Sequence, residues 1–103
     1  MSAADSAEDK SSASVRRVIV FTGRVQGIGF RYTSERIASR FDVTGFVCNL
    51  SDGSVELVAE GAVDDLDRFQ RAVEEAMHRH IDQTQAQDTS PTGEFTAFRI
   101  AYS

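Results

Sequence analysis

At 103 residues the chain has room for one domain and one hydrophobic core, and its 41% hydrophobic content, with seven Phe, separates it from disordered chains. A formal net charge of -5 disfavours capture of polyanions over the surface as a whole, so neither nucleic acid nor an anionic membrane is expected as a partner. A single cysteine, Cys48, cannot close an intramolecular disulfide, and no apolar run reaches the length of a membrane span, so a cytoplasmic location is expected.

Residues 1–14 mix Ser, Ala and charge without the apolar core of a signal peptide, and are expected to form a disordered tail before a domain at 15–103. Val18, Ile19, Val20 and Phe21 make a continuous apolar run ending at Gly23, the pattern of a strand covered on both faces and central in its sheet. Gly23 to Arg31, GRVQGIGFR, is a glycine-rich loop leading into a helix over roughly Tyr32 to Phe41, where Ile37 and Phe41 recur at helical spacing beside Ala38. Val43 to Leu50 reads as a second strand, Asp52-Gly53 as a turn, and Ser54 to Glu60 as a third strand in which Val55, Leu57 and Ala59 alternate with mostly polar neighbours.

Beyond Gly61, Val63 to His80 places Leu66, Phe69, Val73 and Met77 on one stripe. Asp64, Asp65 and Asp67 at its start and Arg79 at its end suit a helix dipole, the aspartates being read as a solvated face. Ile81 to Asp88 is a Gln-rich candidate strand and Ser90-Pro91-Thr92-Gly93 a turn. The last strand is expected to carry Phe98, Ile100 and Tyr102 on one face. The order βαββαβ, with an added strand near the end, predicts an α+β ferredoxin-like sandwich: a mainly antiparallel sheet with two helices packed on one face.

A loop with glycines at Gly23, Gly27 and Gly29, between a strand and a helix start, can turn successive backbone N–H groups inward as an anion nest. Arg31 at the loop–helix junction can add a bidentate guanidinium. On these residues alone, a tight crossover with a solvated arginine stays open. So does a plain turn-capping role for Asn49 near the hairpin. The loop lacks the Gly-Lys-Ser/Thr ending of a nucleotide P-loop and the third glycine of a dinucleotide fingerprint.

GRVQGIGFR followed by a helix, and then GFVCNLSDGSVELVAEG, resemble the two signature stretches of the acylphosphatases, over about Val15 to Tyr102. The resemblance implies that the backbone of Gln26, Gly27, Ile28, Gly29 and Phe30 cradles a substrate phosphate and that Arg31 binds it. It further implies that Asn49 orients the attacking water, so that Arg31 and Asn49 are the catalytic pair. Phe46 stands where the family often has Trp, Cys48 where it often has a basic residue, and Ile28 where Val is usual. The implied activity is hydrolysis of a small-molecule acyl phosphate by a monomer, with inorganic phosphate as product and competitive inhibitor. The leaving carboxylate has a pKa of about 4 and needs no general acid, and neither a cofactor nor a metal is expected.

Arg24 is left outside the catalytic set, and His78 and His80 are given no role. An RNA-binding domain of the same element order would need exposed aromatics on its central strands, and SVELVAE has none. A small-molecule regulatory module would not need the Arg31 and Asn49 pair. The acylphosphatase-like domain of hydrogenase-maturation carbamoyl transferases is a narrower alternative, against which this chain is expected to be too short to carry the further domains.

Overall fold

The computed structural model describes residues 13–102. Its elements are β1 (Ser14–Gly23), α1 (Phe30–Ala38), β2 (Val43–Asn49), β3 (Val55–Ala62), α2 (Val63–Met77), β4 (Ile81–Thr89) and β5 (Phe98–Ile100). The strands form one five-stranded sheet in the order β4-β1-β3-β2-β5. Three neighbour pairs are antiparallel, and β5 runs parallel to β2. Both helices lie on the same face, which makes this the ferredoxin-like α+β sandwich.

The core follows from strand alternation and helix periodicity. Ile19 and Phe21 of β1, Val47 of β2, and Val55, Leu57 and Ala59 of β3 are buried beneath the helices. Leu66, Phe69, Val73 and Met77 of α2 close over them. Aromatic contacts join the layers: Phe69 meets Phe41 at 6.1 Å and Phe98 at 5.4 Å between ring centroids.

Several expectations are corrected. β1 lies between two strands but is not covered on both faces, since Val18 and Val20 are only half-buried on the helix-free side; the central strand is β3. α1 begins at Phe30 rather than Tyr32, because Gly29 takes the left-handed N-cap conformation and accepts the first helical bond, from the Thr33 amide at 2.9 Å. It ends at Ala38 because the chain tightens into i to i+3 bonds, from Arg40 to Ile37 and from Phe41 to Ala38, both 3.0 Å. β3 continues through Gly61 to Ala62 and runs directly into α2. That helix stops at Met77, so Arg79 lies beyond its last turn. β5 stops at Ile100, before Tyr102. Of the expected tail, residues 1–12 lie outside the described residues, whereas the Ala13 carbonyl accepts a bond from the Val63 amide and Ser14 pairs with Ala62.

Two polar networks hold the sheet's periphery. Arg17, in phase with the buried Ile19 and Phe21 and itself 8% exposed, makes a bidentate pair with Asp88 of β4 at 2.7 and 3.0 Å. It also reaches Asp67 of α2 at 2.8 Å, so that aspartate is an ion-pair partner and not merely part of a solvated face. On the opposite face, residues 90–97 cross as a strap from the β4 edge to the β5 edge. Glu60 accepts bonds there from the Thr92 and Gly93 amides, the Thr92 hydroxyl and Arg16. Phe95 of the strap packs on Phe46 at 5.8 Å and under Arg16. Desolvation pushes the Glu60 carboxyl up, but these donors outweigh it and hold its pKa at about 2.

Candidate active site

The end of β1, the start of α1 and the ends of β2 and β5 meet at one end of the sheet. A cavity of about 280 Å³ opens there, lined by Val25, Gly27, Gly29, Phe30, Arg31, Tyr32, Asn49, Ile100 and Tyr102. Val25 is fully buried, and Phe30 is buried against Phe21 with ring centroids 5.0 Å apart. These two anchors pin both ends of the loop and leave Gly27, Ile28 and Gly29 exposed between them. Gly27 has φ of 78° and Gly29 of 82°, the left-handed region that other residues resist; an added Cβ would meet nothing within 4 Å at either, so the requirement is conformational and not steric.

Because the first helical bond is made by Thr33, the amides of Phe30, Arg31 and Tyr32 precede the intrahelical ladder of α1. No side chain caps this end and no acidic residue occupies the first turn. Positive partial charge therefore gathers at the cavity, with the Arg31 guanidinium beside it.

Of the residues singled out from sequence, Gly27, Gly29, Phe30, Arg31 and Asn49 all line this cavity. Gln26 and Ile28 are not among the lining residues. The Gln26 side chain turns to the β2–β3 hairpin, where its Nε2 donates to the carbonyls of Leu50 at 2.7 Å and Ser54 at 2.8 Å. Ile28 projects from the loop. Arg24 is exposed and outside the cavity lining. Cys48 is buried, in the register that faces away from Asn49; burial, more than the nearby Glu56, pushes its thiol up. Among the described residues, no group of three or more His, Cys, Asp or Glu is arranged to hold a metal ion.

Sequence reasoning missed Val25, Tyr32, Ile100 and Tyr102 as cavity residues. Tyr102 stacks on Arg31, with Cζ 5.1 Å from the ring centroid. Ile28, Tyr32 and Tyr102, at 38%, 59% and 79% exposure, are the exposed large hydrophobic residues among the described ones, and they gather at this cavity or on its loop. The hydrophobic alternation of the last strand did include Tyr102, but nothing local indicated that β5 would run beside β2 and deliver it to Arg31.

Known proteins share much of this sequence and its fold. The acylphosphatase family model matches residues 17–100. An acylphosphatase of Salinibacter ruber is 48% identical over 80 residues, 77% of this chain and 84% of its own. The crystal structure of acylphosphatase from Bacillus subtilis matches with a TM-score of 0.77 at 30% identity, covering 85% of this chain and 99% of that one. Full-length HypF in its phosphate- and nucleotide-bound form matches with a TM-score of 0.75 at 30% identity, over 87% of this chain but 12% of that chain.

Proposed function

The chain belongs to the acylphosphatase family, and from that premise we propose how its cavity divides the hydrolysis of an acyl phosphate between loop, arginine and asparagine. The amides of the loop from Gln26 to Phe30 and the Arg31 guanidinium hold the phosphoryl oxygens. They gain strength as charge redistributes over those oxygens in the transition state. Asn49 holds a water in line with the bond between phosphorus and the acyl oxygen.

The water oxygen bonds to phosphorus as the bond to the acyl oxygen breaks. The electron pair of that bond leaves with the carboxylate, and a phosphoryl oxygen takes the water's proton. Because the carboxylate is already a stable anion at neutral pH, the step needs no general acid. The acyl portion then rests against the wall made by Tyr32, Ile100 and Tyr102. Free phosphate fills the same cradle as product and as competitive inhibitor.

The observation supporting this assignment is that Arg31 and Asn49, brought from a helix start and a strand end, line one cavity with the left-handed loop glycines. Separate substitutions test it. Arg31→Ala removes a contact made in both ground and transition states, so it should lower kcat and also raise the phosphate inhibition constant. Asn49→Ala should lower kcat on the order of a hundredfold while leaving that constant nearly unchanged. Near-normal turnover by a folded Asn49→Ala variant would leave Asn49 a turn residue and end the mechanism.

A further inference from the structure

From the two bonds of its side chain, we infer that Gln26 is a positioning residue that sets the phosphate loop at a fixed distance from Asn49. The inference rests on the mechanism proposed above. Gln26 precedes Gly27 in the loop, and its half-buried side chain reaches across to the hairpin that follows Asn49. One amide nitrogen donates to both Leu50 O and Ser54 O, at 2.7 and 2.8 Å. Only a group with two N–H bonds on one atom can satisfy both acceptors; an oxygen at the same point would face two carbonyls.

The two carbonyls are themselves tied into the hairpin. Ser54 O also accepts from the Leu50 amide at 2.9 Å, and Leu50 O from the Gly53 amide at 3.2 Å. Each carbonyl therefore has two donors, which matches its two lone pairs. The brace thus grips an organised turn one peptide bond beyond Asn49.

In-line attack depends on the separation between phosphorus, set by the loop, and water, set by Asn49. These belong to different elements, each anchored independently in the core: the loop through Val25 and Phe30, the strand through Val47 and its pairing with β3. Independent anchoring fixes each part well without fixing their mutual distance to a fraction of an ångström. Gln26 joins them directly, and a misplacement of about 1 Å costs on the order of a hundredfold in rate.

The test is a double-mutant cycle on the intact chain with one acyl phosphate, measuring kcat, KM and the inhibition constant of inorganic phosphate. Gln26→Met removes both donors at nearly constant volume and without charge. It should lower kcat by about tenfold or more and change the phosphate constant by less than about threefold. In the Asn49→Ala background the same substitution should cost less than about twofold, because there is no positioned water left to misplace. A full-sized loss in that background, no loss in the parent, or a phosphate constant that rises in step with the fall in kcat would each overturn the brace. If Gln26→Met does not fold, Gln26→Asn, which keeps the donors but shortens their reach, carries the same cycle with the same criteria. Normal turnover by Asn49→Ala alone would instead refute the water-orienting role, and the positioning role with it.

Discussion

Replacing Glu60 by Gln isolates the clip that fastens the 90–97 strap to the sheet. The side chain is 6% exposed, and its two oxygens take bonds from Thr92 N at 3.0 Å, Gly93 N at 2.9 Å, Thr92 Oγ1 at 2.7 Å and Arg16 Nη1 at 3.1 Å. In Glu60→Gln one oxygen becomes an NH2 group, so in either orientation of the amide, donors face donors. Leaving a buried partner of a hydrogen bond unsatisfied costs about 1–3 kcal/mol, toward the upper end where the lost acceptor is charged, which puts the loss at about 2–3 kcal/mol. The same bonds hold the carboxyl at about 2, against an ordinary 4.5, which corresponds to a loss of similar size, about 3 kcal/mol. For a domain of this size that is a fall of roughly 10–20 °C in Tm near neutral pH. The folded-state pKa is depressed, so the stabilisation is full above the ordinary carboxylate value and disappears as pH falls through about 2. Thermal melts of parent and variant from pH 7 to pH 2 should therefore show a Tm gap that closes below about pH 4.5. A gap of under about 2 °C at pH 7, or one that stays constant down to pH 2, would refute the clip.

Two further outcomes concern the proposed active site. Tyr102→Ala removes the ring stacked on Arg31. Loss of the ring from the wall proposed for the acyl group, at about 0.5–1.5 kcal/mol for an aromatic pair, should raise KM for an aromatic acyl phosphate roughly two- to tenfold with kcat nearly unchanged; a tenfold drop in kcat would show that Tyr102 takes part in the chemical step. Turnover should also persist in excess EDTA, since in the proposed mechanism a carboxylate leaving group and a cradle of amides plus guanidinium leave no step for a Lewis acid. Complete loss with rescue by a divalent ion would sink that claim.

What was legible in the sequence, and what was not, divides along the distance over which the physics acts. Helix α2 was readable because Leu66, Phe69, Val73 and Met77 repeat at the helical period, and the glycine-rich loop because its glycines and Arg31 adjoin one another. Element ends were displaced where backbone geometry decided them: a left-handed Gly29 started α1 early, and tightening after Ala38 ended it early. Asn49 alone read more naturally as a turn residue, and only the resemblance gave it a place in the site. Tyr102 and Glu60 were hidden for a different reason. Each depends on a segment arriving from far along the chain: β5 beside β2, and the strap across the helix-free face. Alternation marks Glu60 only as a polar neighbour of Ala59 and carries no information about its burial. Arg17 occupies the middle ground. In RRVIVF it falls in step with Ile19 and Phe21, the positions that face the helices. A guanidinium placed in that register must find carboxylates or destabilise the fold. The two it uses, Asp67 and Asp88, stand on the helix and edge strand that the βαββαβ order already brings beside β1. That pair could have been derived from phase and topology together, whereas Glu60 could not, because no rule of topology says which loop will cross an open sheet face.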